Sequence, residues 1–307
     1  MDEINFSYNG GERAERLDLW LTTQLPEYTR TYIQKLIDKG NVTVNGKRSK
    51  SGDKLTIGDD VLIALPEIEN LDVVKQDIPL DIVYEDDDII VMNKPKNMVV
   101  HPAAGNPDGT LVNALLYHCE GRLSDISGVI RPGVVHRIDK DTTGLICAAK
   151  NNNAHLFLAE QLRAHTMKRT YIALVDKVIN EDKGIIDAPI GRHNTDRKKM
   201  AVNLKNGKEA VTHFKVLERF SKYTFVEVSL ETGRTHQIRV HMAYIGHPVC
   251  GDELYGNKFS LCETGGQVLH AFKLELLHPS TKENQIHFAP VPDYMNNILF
   301  KLRLGSI

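Results

Sequence analysis

The stretch that most constrains this chain is His136-Arg137-Ile138-Asp139-Lys140-Asp141-Thr142-Thr143-Gly144, followed directly by Leu145-Ile146-Cys147-Ala148-Ala149. One imidazole, two cations, two carboxylates and two hydroxyls fall in nine positions, and a small apolar run succeeds them. A polar knot leading straight into such a run predicts a loop entering a buried strand, which is a rigid place to hold a reactive group. Taken alone, the same nine residues also suit a solvated surface turn. The rest of the chain decides between the two.

Ahead of the knot, residues 1 to 13 read as an extended lead-in. A helix is expected from Ala14, with Leu17, Leu19, Trp20, Leu21 and Leu25 on its apolar face and Pro26 at its end. Thr29 is placed to cap a second helix that turns Tyr32, Ile33, Leu36 and Ile37 inward and stops at Gly40. Alternation at Val42-Thr43-Val44, an Asn45-Gly46 turn and the run Val61 to Ala64 predict short strands. Pro66 to Pro79, rich in acids, reads as a linker.

Two strands around the charged turn Glu85 to Asp88 come next, then a short strand at Met98 to Pro102 and a helix capped by Thr110. Beyond the knot, Asn151 to His165 reads as a helix with Ala154, Leu156, Phe157, Leu158, Ala159 and Leu162 on or near its buried side. Strands are expected at Lys168 to Val175, Ala210 to Phe214, Thr224 to Leu230 and Val268 to Leu277, with a helix over Thr235 to Ile245. Strands outnumber helices and show no regular βα alternation. The fold class expected is therefore α+β, a mixed, largely antiparallel sheet, preceded by a small amino-terminal α/β module.

The 307 residues suffice for two domains, and the formal net charge of -2 points to no particular partner. The distribution of charge says more. Residues 28 to 54 hold seven Lys/Arg against two acids, whereas residues 67 to 88 hold nine acids against one Lys. Arg30, Lys35, Lys47 and Arg48 fall in the basic block, and a second basic excursion at 192 to 208 carries Arg197, Lys198 and Lys199. Such segregation can present a basic face for RNA; a solvated face shows the same cations. The four cysteines are widely spaced and form no CxxC, and no apolar run has the length of a membrane span. A reduced, cytoplasmic protein with no membrane partner is expected.

No glycine-rich nucleotide loop, GxSxG or HExxH occurs. A metal site built from His136, Asp139 and Asp141 lacks both the usual spacing and supporting ligands. What remains is Asp139, a carboxylate among cations. An arginine partner would keep it ionised and oriented, and the richest source of donors is Gly233-Arg234-Thr235-His236-Gln237-Ile238-Arg239-Val240-His241. A buried salt bridge joining two elements has the same sequence signature.

Arg16-Leu17-Asp18, Thr29-Arg30, Ile33-Gln34, Leu36-Ile37, Gly40, Val42-x-Val44-Asn45-Gly46 and Gly58-Asp59-x-Val61 resemble an S4-like RNA-binding domain. Asn93-Lys94-Pro95, His101-Pro102, the central knot, Lys168 with Tyr171, the Gly233 to His241 run, Gly246-His247-Pro248, Gly251-Asp252, Tyr255-Gly256 and Leu269-His270-Ala271 resemble the large ribosomal RNA pseudouridine synthase family. Domain limits of 14–75 and 76–303 follow. The resemblance implies isomerisation of uridine to pseudouridine in large-subunit ribosomal RNA or a pre-ribosomal particle, by a monomer that needs no cofactor. It also implies that Asp139 is the catalytic aspartate, Arg234 its ion-pair partner, and Tyr171 the aromatic that stacks on the target base. Arg137 is similar to the residue that fills the space left by the flipped nucleotide. His136, Lys168, Arg30, Lys35, Lys47, Arg48, Arg197, Lys198 and Lys199 are the expected RNA contacts. A transfer-RNA substrate and a non-catalytic ribosome-assembly role are the competing readings.

Overall fold

The computed structural model describes residues 2–10, 15–25, 30–65, 73–103, 105–126, 132–196, 198–256 and 265–306. Its contacts divide the chain into two units, Met1–Leu71 and Asp72–Ile307.

The smaller unit contains β1 (Asp2–Ser7), α1 (Leu17–Gln24), α2 (Arg30–Lys39), β2 (Val42–Val44), β3 (Lys47–Arg48) and β4 (Asp60–Leu65). The strands form one antiparallel sheet in the order β1-β4-β2-β3. The amino-terminal lead-in is thus a sheet strand of this unit, paired from Asp2 opposite Leu65 to Ser7 opposite Asp60. Leu17, Leu21, Ile33, Leu36, Ile37, Val42, Val61 and Ile63 share one core, the outcome expected of two amphipathic helices laid on a small sheet. Asn45 and Gly46 both take positive φ, 50° and 74°, as a two-residue hairpin between β2 and β3 requires. Helix α1 starts at Leu17, after Arg16 at its cap, and Ala14 lies outside the described residues; Leu19 faces solvent, off the stripe of Leu17, Trp20 and Leu21. The expected cap at Thr29 and the first part of the linker, 66–72, lie outside the described residues, as does the side chain of Tyr32.

The larger unit contains β5 (Ile82–Glu85), β6 (Ile89–Lys94), α3 (Leu111–His118), β7 (Thr143–Ala149), α4 (Asn152–Arg163), β8 (Lys168–Asp176), β9 (Lys183–Asp187), β10 (Ile190–Arg192), β11 (Met200–Val202), β12 (Val211–Arg219), β13 (Tyr223–Leu230), α5 (Gln237–Tyr244), β14 (Leu269–Leu277), β15 (Asn284–Phe288) and α6 (Asp293–Arg303). Its main sheet runs β5-β6-β7-β14-β8-β13-β12-β9, with β15 also paired to β14. Only the β7–β14 pair is parallel among the described strands. The fold is α+β with a mixed, mainly antiparallel sheet.

Both faces of the central strands are covered, which explains their unbroken apolar runs. Ile89, Val91, Leu145, Cys147 and Ala149 pack to one side with Ala154 and Leu158 of α4. Ile90, Met92, Ile146 and Ala148 alternate to the other side, against Leu111 and Leu115 of α3. Thr110 caps α3 through a reciprocal pair of bonds with Asn113. Two local expectations fail. Met98 to Pro102 forms no strand; instead the Val99 and Val100 carbonyls accept from the Leu111 and Val112 amides at the start of α3. On α4, Leu156 and Ala159 face solvent, because the inner stripe runs through Ala154, His155, Leu158 and Gln161.

Gly144 fixes how β7 enters the sheet. Its φ is +106°, and a Cβ there would lie 2.3 Å from the Ala271 carbonyl oxygen on β14. Only glycine permits that approach beside the knot.

Candidate active site

The knot precedes β7 and is held from several sides. The Lys94 ammonium is buried and donates to the carbonyls of Pro95, Met98 and Lys140 at 2.7, 2.9 and 2.9 Å. It ties the β6 turn to the residue after Asp139. Burial pushes its pKa down to about 7, against the opposing pull of Asp141 and Asp139. The Thr142 hydroxyl accepts from Gln267 Nε2 at 3.0 Å, and Thr143 Oγ1 meets His270 Nδ1 at 2.8 Å. His136 faces inward, its Nε2 accepting from the Cys147 amide at 3.1 Å. Burial, then the nearby Arg169 charge, pushes the pKa of this imidazole down to about 3. Its ring is neutral at pH 7, with the proton on Nδ1. The knot is therefore a fixed entrance to the strand.

Asp139 opens onto a cavity of about 510 Å³ whose walls include Arg137, Ile138, Arg169, Tyr171, Leu230, Arg234, His236, Arg239 and Leu269. Tyr171, from β8, is 6% exposed and packs with Ile138, Leu230, Ile238 and Leu269. Burial raises the pKa of its hydroxyl, so the phenol stays protonated at neutral pH.

The partner of Asp139 is Arg239, on the first turn of α5, with Nη1 2.9 Å from Oδ2. The same guanidinium gives Nε and Nη2 to Asp252 at 2.6 and 2.9 Å. Burial alone would lower the pKa of Arg239; the two carboxylates more than reverse this and hold it raised. Arg234 does not fill the role expected of it. It lies in the loop before α5, where its Nε donates to the Glu209 carbonyl at 2.8 Å and its amide to Gln237 Oε1 at 2.9 Å. The two arginines stand five positions apart, and the helix start falls between them. Gln237 also donates to Val211 O and Thr212 Oγ1, which locks that loop onto β12.

His236 caps α5 with a left-handed backbone, φ 56°. Its Nδ1 is 2.9 Å from the Tyr255 hydroxyl, which already accepts from the Met200 amide, and its Nε2 is 3.8 Å from Asp139 Oδ1. Burial lowers the His236 pKa, although Asp139 opposes the shift. The Tyr255 ring also faces the Arg239 guanidinium, 5.2 Å from its centroid. His236, Arg239, Asp252 and Tyr255 complete the setting of Asp139. Each stood within a quoted motif, but only burial and geometry assign them to one carboxylate.

The remaining expected residues are scattered. Arg137 is exposed at the cavity. Lys168 points away, with Nζ on the His165 carbonyl at 2.9 Å, and its neighbour Arg169 lines the cavity instead. Lys198 is exposed and Lys199 half-buried outside the cavity walls, while Arg197 lies outside the described residues. In the smaller unit, Arg30 donates twice to buried Asp18, which also takes bonds from Arg16 and Gln34. Burial would raise the Asp18 pKa, yet those donors hold it well below the usual carboxylate range. Part of the Arg30 charge thus serves the fold. Lys47 and Arg48 are exposed, and the Lys35 side chain lies outside the described residues. Among the described residues, no cluster of His, Cys, Asp and Glu is disposed to hold a metal ion.

The larger unit thus holds an arginine-paired aspartate at a cavity with a buried tyrosine in its wall. The pattern of the RNA pseudouridylate synthase family matches residues 88–244, and that of the S4 domain matches residues 15–61. An uncharacterized RNA pseudouridine synthase of Bacillus subtilis is 49% identical, over 99% of both chains. The ribosomal large subunit pseudouridine synthase D of Pseudomonas aeruginosa is 44% identical, over 98% of this chain and 95% of its own. Among solved structures, the human RNA pseudouridylate synthase domain containing 1 superposes with a TM-score of 0.57 at 26% identity, covering 78% of this chain and 98% of its own. The chain belongs to the RNA pseudouridylate synthase family, whose members isomerise uridine in RNA, and it carries an S4 domain.

Proposed function

We propose that this enzyme converts uridines of large-subunit ribosomal RNA to pseudouridine, with Asp139 as its catalytic carboxylate. The observation that carries the reading is Asp139 itself, paired with Arg239 at the mouth of a cavity walled by Tyr171. The ribosomal substrate rests on the relatives named as large-subunit synthases.

The target nucleotide leaves its stack, at a cost of a few kcal/mol that is smaller in a loop or bulge. Arg137, exposed beside the cavity, fills the space it leaves, and the base stacks on Tyr171. Arg239 fixes the direction of the Asp139 carboxylate through its Nη1. The carboxylate then starts glycosidic cleavage by attack at ribose C1′, by attack at uracil C6, or by proton removal from the ribose. In each route the electrons of the N1–C1′ bond pass to the uracil. The ring turns, C5 joins C1′, and the C5 proton is lost to a base. Substrate and product are isomers, so no redox or group-transfer reagent enters the balance.

The smaller, S4-containing unit and the basic loop with Lys198 and Lys199 hold the RNA backbone and give affinity rather than base identity. The enzyme acts as a monomer in the cytoplasm; no described helix is long and apolar enough to cross a membrane. Position-resolved mapping of pseudouridine in cellular RNA, with and without this protein, tests the substrate. Sites that disappear from large-subunit ribosomal RNA support the reading. Sites that disappear only from transfer RNA sink it.

A further inference from the structure

Arg169 stands two residues before Tyr171 on β8, so both side chains leave the same face of the strand, and both wall the cavity. The other half-buried or buried arginines of the wall are engaged, Arg234 by the Glu209 carbonyl and Arg239 by two carboxylates. Arg169 differs. Its Nε is buried and has no hydrogen-bond partner among the described residues. The Nδ1 of His136, another wall residue, is in the same condition. The Arg169 charge is felt at both the His136 ring and the Tyr171 hydroxyl, which places the guanidinium near the two. Leaving buried donors unmatched is costly, so two of them on one cavity wall call for an acceptor there.

Gly233 supplies the room. A Cβ on it would lie 2.5 Å from Arg169 Nη1, so the guanidinium rests directly against the backbone of the loop that leads to α5. The glycine is not needed for its own conformation, since its φ lies outside the left-handed range. Its use is the seat it gives Arg169.

We propose that Arg169, seated on Gly233 beside the buried Nδ1 of His136, binds an oxygen acceptor of the flipped uridine. The acceptor is either a carbonyl oxygen of the base stacked on Tyr171 or an oxygen of the adjoining phosphate. A carbonyl oxygen gains negative charge as the N1–C1′ electron pair passes to the ring, so a guanidinium there favours departure of the base. A phosphate oxygen is anionic throughout, so the same contact would hold the nucleotide in place. The inference rests on the pseudouridine synthase reading.

The test uses the full-length protein and deproteinised total RNA from cells that lack it. Arg169→Met, Arg169→Lys and Gly233→Ala are compared with wild type for single-turnover pseudouridine formation and for RNA affinity across salt concentration. At least a tenfold loss is expected for Arg169→Met and for Gly233→Ala, with partial recovery in Arg169→Lys. A base contact lowers the rate at saturating RNA and leaves the salt slope of affinity alone. A phosphate contact weakens binding and shrinks that slope by about 0.7–0.9. Unchanged rate and affinity in Arg169→Met overturn the inference, as do losses that merely follow the folded fraction in thermal melts. If the wild-type protein makes no pseudouridine, the enzymatic reading fails with it.

Discussion

Arg239 and Asp252 form a side-on fork, Nε and Nη2 of one against both oxygens of the other, which leaves Nη1 free to reach Asp139. Asp252 is fully buried and also accepts the Leu254 and Tyr255 amides, so the fork is anchored to backbone as well as side chain. The direction of the Asp139 carboxylate is thus set by a residue over a hundred positions downstream. Asp252→Asn should keep the shape of the fork but weaken it. We expect the single-turnover rate to fall about 10²-fold, the scale of an ångström-level misplacement, with RNA affinity unchanged. Equal rates in the variant and wild type would show that Asp252 plays no positioning part.

Gly144→Ala tests the entrance of β7. The added methyl meets the Ala271 carbonyl, and the backbone is held at φ +106°. A loss of more than about 2 kcal/mol in unfolding free energy is expected from crowding and strain together. Denaturant unfolding measures it; a loss under about 0.5 kcal/mol would mean that the strands separate without cost.

Stability should fall on mild acidification. Burial, with a further push from Arg169, lowers the His136 pKa to about 3, and burial lowers that of His270 to about 4. Between those values and the ordinary histidine pKa of 6.5 the unfolded chain binds protons that the folded chain refuses. Stability from both groups is therefore complete above pH 6.5 and is lost as pH falls toward 4. From pH 6.5 to 5 each group accounts for about 2 kcal/mol. Unfolding at pH 7 and pH 5 should show the fall, and His270→Gln should remove about half of this contribution. A fall of equal size in the variant would assign it elsewhere.

Much of this architecture is legible in the sequence because its signals are local. The apolar run after Gly144 is a doubly covered strand, Asn45-Gly46 is a hairpin, and Thr110 is a cap. The pairing of Asp139 is not local. Arg234 and Arg239 sit in one dense motif, and the choice between them depends on where α5 begins. That start has no side-chain cap to announce it, only His236 in a left-handed conformation. The apolar neighbours Ile238 and Val240 were the available hint that Arg239 is the buried one. Arg169 was obscured in the same way by Lys168, since which of two adjacent cations enters the cavity depends on the register of β8. The helix face of α4 slipped because Leu156 is exposed despite its side chain.

Removal of the S4 unit should separate capture from chemistry. Residues 1–71 form a compact unit of their own and the cavity walls all belong to the other, so a chain that starts at residue 72 should keep its cavity. Affinity for structured ribosomal RNA should drop at least tenfold and depend less steeply on salt. Filter binding across salt concentration measures both. Unchanged affinity would take the unit out of RNA capture.

The central claim is that Asp139 performs the isomerisation. Asp139→Asn keeps the size of the side chain and removes its charge. Pseudouridine formed in a single turnover on bound ribosomal RNA, read alongside the affinity of the same variant, tests the claim most directly. The account predicts that conversion is lost by at least about 10³-fold, roughly 4 kcal/mol of barrier, while binding stays within a few-fold of wild type. Conversion at the wild-type rate would contradict it.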